Sequence, residues 1–404
     1  MPANPNDRLR TYRRDLLRGA LMGIVEVGAL SFGLLAAIRA FDAPDPVKGA
    51  LSAGMALGMF LAPYVRRRAA RTGWPAAHLG RAFLLGSAAC YGAAALAPTL
   101  ALFAPAVLLG NALLAQLPSL LVTIYARNYE PAERGRRVSH AFTLTALSGA
   151  LLSLAGGAFL DRYPNAFGTI FGLMAVAALL AAPVVGRMPS DPLTPPGHGP
   201  RGHFRLLRED RLFGPMMAAW MLLGFANLSL LPLRVERLAN PVYGFDLSNG
   251  EVVFLTVFLF SGARVLGLQV FGWLFERMNF LVYRLVLNGV LALAMVCYFQ
   301  TDRVALIGLG SVLFGLGIGG GNLAWTLWVT RIAPEERISE YMSVHVSMAG
   351  IRGMLAPFLA YNLVVWITPG QLSLLSMGLL TLASLLLLRF WGQPTVRARF
   401  ARPA

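Results

Sequence analysis

With 404 residues, 56% of them hydrophobic and 13% charged, this chain carries more apolar surface than a water-soluble fold of its size can bury, and its mean hydropathy is +0.61. The net charge of +16 comes almost wholly from arginine, Lys48 being the sole lysine, and the arginines gather in short clusters between long apolar runs. That spacing excludes a nucleic-acid-binding protein, which needs its bases on one exposed face, and a second soluble domain, for which no polar stretch is long enough. It describes a polytopic membrane protein.

In chain order, Arg8, Arg10, Arg13 and Arg14 precede a first predicted span over 15–40, and Arg18 lies in its opening turn. That stretch lacks a small-residue cleavage site and reads as a retained span. Further spans are predicted over 48–65, 78–97, 101–126, 139–160, 166–186, 213–236, 250–273, 280–299, 304–329, 341–366 and 370–391. The gaps alternate in charge. The Arg66-Arg67-Arg68 run, Arg127 with Arg134 to Arg137, Arg201 to Arg211, Arg277 with Arg284, Arg331 with Arg337, and Arg397 with Arg399 mark one side together with the N-terminus. The other gaps are short and nearly neutral, except that Arg234 and Arg237 are balanced there by Glu236 and Asp246. By the positive-inside rule both termini are cytoplasmic and the span number is even.

The longest interior gap carries Pro189, Pro192, Pro195, Pro196 and Pro200, which no helix tolerates. It divides the chain into a six-helix half over 1–186, a cytoplasmic linker over 187–212, and a second six-helix half over 213–404. The halves echo one another: Pro131, Glu133 and Arg134 after the fourth span match Pro334, Glu336 and Arg337 after the tenth at one constant offset. Duplicated halves are an architecture that places a solute site near mid-membrane. Ser248-Asn249-Gly250-Glu251 has capping-box spacing and starts the eighth span. Gly315, Gly317, Gly319, Gly320 and Gly321 lie inside an apolar span with no Lys-Ser/Thr after them, so they serve close packing and not a phosphate loop.

Gly272-Trp273-Leu274-Phe275-Glu276-Arg277, after the eighth span, resembles the second copy of the Gly-x-x-x-Asp/Glu-Arg signature of the major facilitator superfamily. The first copy belongs after the second span, where Gly58 and the basic run from Arg66 are kept but Ala62 replaces the acid. Gly149, Gly156 and Gly157 are similar to that family's glycine-rich fifth helix. The resemblance covers the whole chain. It implies an all-α fold of twelve transmembrane helices in two pseudo-symmetric halves, with gating loops that carry Gly272, Glu276, Arg277, Arg66, Glu133, Arg134, Glu336 and Arg337.

Glu26 sits near the middle of the first span. A charge there costs about 2.5–3.5 kcal/mol on insertion scales, and burial favours a carboxyl that takes and releases protons; packing against a neighbouring helix is the alternative. Arg264 and Arg352, in the eighth and eleventh spans, cannot shed their charge and need a carboxylate, an anionic solute, or backbone carbonyls. Glu26 is the one acid the sequence puts at their depth. The resemblance places spans one, four, seven and ten around a cavity, which makes Asn111, Gln116, Asn227, Asn322 and Trp325 candidate solute contacts; such amides also serve helix packing. His345 near the end of its span reads as interfacial or titrating, and Trp325 and Trp328 as interface belt residues.

Cys90 and Cys297 stand alone in apolar runs, the five histidines are scattered, and no P-loop is present. The chain therefore reads as neither a metal site nor an enzyme, with no cofactor. The expected function is secondary transport of a small organic solute across a bacterial inner membrane, coupled to protons. The expected partners are a small-molecule substrate, protons and the lipid bilayer, with no nucleic acid, and one chain suffices as the working unit. Surplus intramembrane arginine leans toward an organic anion. A proton-driven multidrug antiporter and a transport-dead receptor or scaffold are the alternatives.

Overall fold

The computed structural model describes residues 5–193, 204–333 and 337–391. The long helices are α1 (Pro5–Arg39), α2 (Asp45–Ala70), α3 (Ala76–Ala95), α4 (Leu100–Asn128), α5 (Pro131–Arg162), α6 (Phe167–Gly186), α7 (Phe213–Ala239), α8 (249–277), α9 (Phe280–Phe299), α10 (Val304–Ile332), α11 (Ile338–Leu363) and α12 (Pro369–Trp391). No strand occurs among the described residues. Nine of these helices hold an apolar window fit to cross a membrane by length and composition. The other three are long enough but carry charges at both ends (α2), many glycines and alanines with a histidine and an arginine (α3), or polar residues (α11).

Predicted and observed spans agree closely except where a helix outruns its apolar window. α1 begins ten residues before the predicted start and α5 eight before. Ion pairs hold both extensions: Arg8 bonds Glu133 (2.6 Å) and Glu130, and Arg137 bonds Glu133 (2.8 Å). A helix can thus run well beyond the apolar stretch that signals it when partners hold its polar end. The predicted linker is described only in part. Met188 and Leu193 are buried, a short helix covers Leu206–Glu209, and residues 194–203 lie outside the described chain.

Two helices depart from regular α geometry. α1 widens into a π turn over Gly28–Phe32, closed by the Gly33 N–H on the Gly28 carbonyl; such turns are rare and concentrate at functional sites. α8 has a second, over Phe254–Phe258. α4 breaks at Ala115–Gln116, where Pro118 follows. The Gln116 N–H turns to Leu113 (3.1 Å), which frees the Ala112 carbonyl. The Gln116 side chain then donates to Ala112 (3.1 Å) and to Gly58 of α2 (2.7 Å), so the freed Ala112 carbonyl keeps a donor.

The chain divides into two compact units, Met1–Gly197 with Leu238–Phe254, and His198–Arg237 with Leu255–Ala404. The crossing of 238–254 into the first unit has a visible cause. Arg39, the last residue of α1, donates to Ala239 (3.1 Å), Asn249 Oδ1 (2.8 Å) and Leu247 (2.6 Å). Asp161 accepts from the Gly250 N–H (3.1 Å), and the predicted capping box of Ser248 and Glu251 is present.

Candidate functional site

In the first unit, α1 carries a buried ion pair that the sequence reading did not single out. Asp15 is 0% exposed and Arg18 3% exposed. Asp15 Oδ1 accepts from Arg18 Nε (2.7 Å) and from the Tyr125 hydroxyl of α4 (2.7 Å), while Oδ2 is buried without a hydrogen bond. Arg18, grouped by sequence with the basic N-terminus, is thereby a core residue, and Glu26 is not the sole acid inside this unit. Three residues apart on one helix, an acid and a base bond each other at low entropic cost. That i,i+3 spacing was the available signal, hidden in a run of arginines.

Glu26 itself is half-buried, two residues before the π turn, and interacts electrostatically with Arg18 and Tyr91. Tyr91 of α3 donates to Asn111 Oδ1 of α4 (2.8 Å). A polar ladder of Asp15, Arg18, Glu26, Tyr91 and Asn111 thus climbs through the first unit. Gly23, one turn before Glu26, lies so close to α5 that a Cβ would collide with Ser148 and the Thr145 carbonyl, the close approach that small residues permit between membrane helices.

The second unit has the opposite balance. Arg352 of α11 and Arg284 of α9 are 6% and 3% exposed. Arg352 lies across Gly224 of α7, where a Cβ would collide with its guanidinium, and donates to the Trp220 carbonyl one turn earlier. The indole of Trp220 faces both cations, Arg284 at 4.8 Å and Arg352 at 6.0 Å from its ring centre. Trp220, Gly224 and Asn227 fall at i, i+4 and i+7, on one face of α7, and Asn227 Oδ1 is buried without a hydrogen bond. His345, seven residues before Arg352, is enclosed by Trp220, Trp325 and Trp328 at 5.4, 5.0 and 5.2 Å. Both of its nitrogens are buried and unbonded.

Several sequence expectations are corrected here. Arg284 is a buried helix residue and not a loop charge; Trp328 and His345, expected at the interface, are fully buried. Arg234 and Arg237, expected in a loop, end α7 in buried positions. Arg264 is exposed and does not join Arg352. Gln116 spends its amide on the α4 break, as described above. Asn322 is exposed and Trp325 half-buried. Of the loop residues, Arg277 stacks on Trp273 (4.4 Å), Gly272 and Arg66 are half-buried, and Arg337 lies over Tyr341 (5.7 Å). Glu336 and the side chains of Glu276 and Arg134 lie outside the described residues.

No group of three or more His, Cys, Asp or Glu side chains fit to hold a metal occurs among the described residues. In the first turn of α5, before its apolar window, hydrogen bonding to Arg137, reinforced by the charges of Arg137, Arg8 and Arg136, holds the Glu133 carboxyl below the usual glutamate range.

Comparison with known proteins places this geometry. An uncharacterized MFS-type transporter of Bacillus subtilis (strain 168), YybF, is 26% identical over 231 residues, and the match spans about half of each chain, 54% of both. Three solved structures share the fold. A mutant of the nucleoside transporter NupG has a TM-score of 0.75 at 12% identity over 95% of this chain and 99% of that one. The D-xylose-proton symporter has 0.69 at 14% over 94% and 97%. The peptide transporter POT in complex with sulfate has 0.69 at 14% over 100% and 98%. The family model of the Major Facilitator Superfamily matches residues 19–357, and with twelve helices in two six-helix halves the chain belongs to that superfamily.

Proposed function

We propose that this chain is a secondary active transporter that moves a small organic anion across a bacterial cytoplasmic membrane by alternating access, coupled to protons through Glu26. The observation that carries the reading is Arg352. It is a permanent cation buried in the second unit, and its hydrogen bond goes to a backbone carbonyl, not to a carboxylate. A charge in that position needs compensation, and an anionic solute supplies it. Asn227 offers an amide on the same face, and Arg264, Asn322 and Trp325 are further contacts on α8 and α10. Asn111 and Gln116 hold the helices that carry the polar ladder. Proteins of this fold act on small polar solutes by name, nucleosides, D-xylose with protons, and peptides, and one holds a sulfate. The alternating basic gaps support cytoplasmic termini, and a single chain holds both halves of the repeat, which supports a monomeric working unit.

Glu26 suits the coupling role because it sits beside a π turn, half-buried, in the electrostatic field of Arg18. The experiment is uptake into proteoliposomes under an imposed proton gradient, with a panel of labelled organic anions and cations. Glu26→Gln is expected to keep solute exchange and lose gradient-driven accumulation; Arg352→Gln is expected to lose both. Gradient-driven movement of cationic amphipathic compounds alone would establish the multidrug antiporter instead. Saturable binding without movement of any solute would mark a receptor.

A further inference from the structure

Arg284 has no counterpart in the reading above. It makes no hydrogen bond or ion pair with any described residue, and its Nε is buried and unbonded. Its guanidinium lies 4.8 Å from the Trp220 ring centre and beside Gly321 of α10, and Arg352 repels it. Arg352 Nε is likewise buried and unbonded. The described acids of this unit are all engaged elsewhere. Glu209 pairs with Arg205, and Asp302 with Arg237. Asp210 accepts from Tyr341 (2.6 Å) and from the N–H groups of Leu212 and Phe213, and Glu236 lies 3.4 Å from the Tyr361 hydroxyl.

A third buried arginine of the unit, Arg234, also has donors without a hydrogen bond, Nε and Nη1, but it meets more aromatic rings. Arg234 is enclosed by three rings, Phe260 at 4.4 Å, Phe314 at 5.4 Å and Tyr298 at 6.0 Å, which attract it from several sides. Arg284 and Arg352 share one ring between two charges.

Two fixed cations converging on one indole, with donors left over and no described carboxylate, are complementary to a ligand that brings two negative charges and several acceptor oxygens. We propose that Arg284 and Arg352, with Asn227 beside them, form a two-cation receptor for a doubly charged oxyanion group, as in a phosphate monoester. A monocarboxylate would leave one cation uncompensated. The inference rests on the reading of Arg352 as part of the solute site and adds the valence of the solute and a second contact residue, on α9.

The test uses the purified full chain in detergent, with inorganic phosphate and sulfate as probes against acetate and chloride at matched ionic strength. Binding is read by calorimetry and by the thermal unfolding midpoint. Phosphate at a pH where it is doubly charged, and sulfate, are expected to bind and to raise the midpoint; acetate is not. Arg284→Gln should weaken phosphate binding roughly 10- to 100-fold, Arg284→Lys should weaken it less, and Arg389→Gln, at an exposed position near the end of α12, should leave it unchanged. Size-exclusion profiles and the midpoint without ligand establish that each variant is folded; should Arg284→Gln fail to fold, the Arg284→Lys comparison carries the test. Equal binding of acetate and phosphate, or unchanged phosphate affinity in either Arg284 variant, overturns the two-cation receptor while leaving anion transport through Arg352 standing. Phosphate binding that depends on Arg284 in a protein that moves no solute would sink the transport reading and keep the receptor. Adding vesicles rich in phosphatidic acid distinguishes a lipid headgroup from a free solute: competition with phosphate at low mole fraction assigns the site to lipid and overturns the solute assignment.

Discussion

α1 meets α5 in the first unit much as α7 meets α11 in the second, the equivalent pair in a fold of two six-helix halves. Both crossings use a glycine for close approach. At Gly23 the space goes to the Ser148 hydroxyl and the Thr145 backbone carbonyl, both uncharged. At Gly224 it goes to the guanidinium of Arg352. Charge follows the same division. The buried cation of α1, Arg18, has its own carboxylate three residues away, whereas Arg284 and Arg352 have none among the described residues. One half closes its electrostatics internally; the other leaves a positive remainder for something to answer. A duplicated scaffold can thus keep one half as a self-contained frame and open the other to a ligand.

The comparison breaks most visibly at Asp15. Asp15→Ala leaves Arg18 buried and unpaired, and should destabilise the protein by about 3–5 kcal/mol, read as a fall in the unfolding midpoint. Asp15→Leu combined with Arg18→Met should recover most of that loss. In the second unit the sign reverses. Arg284→Met or Arg352→Met removes an uncompensated buried charge, so stability should hold or rise, by up to about 1–4 kcal/mol, even as solute binding disappears. A fall of similar size to Asp15→Ala would show that the two halves are balanced alike. Gly23→Ala comes next, at about 1–3 kcal/mol of destabilisation, because a Cβ has no room against α5.

The smallest effect concerns Glu133, held by Arg137 and Arg8. Its folded carboxyl titrates below its unfolded value, so its contribution is present above the unfolded value, about 4.3 for glutamate, and is lost as the pH falls through the folded one. Glu133→Gln should lower the midpoint slightly at neutral pH, and the gap to wild type should close on acidification toward pH 3. High salt should shrink it as well.

Much of the fold could be read from the chain because a bilayer enforces one rule: each crossing needs an unbroken apolar stretch, and arginines mark the gaps between them. Helix number, order and most boundaries follow from that rule. So does the capping box of Ser248 and Glu251, which is local. Glu26 was legible because a lone acid in an apolar run stands out.

What tertiary structure decided is where the polar residues near helix ends point. Arg18, Arg284, His345 and Trp328 sit where sequence reads an interface, yet each is buried, because whether a side chain turns outward or into the bundle depends on the facing helix. Asp15 and Tyr125 are 110 residues apart and meet only when α1 packs on α4. Trp220 draws Arg284 and Arg352 together from two other helices. Hydropathy settles how deep a residue lies along its helix, and only packing settles which neighbour it faces.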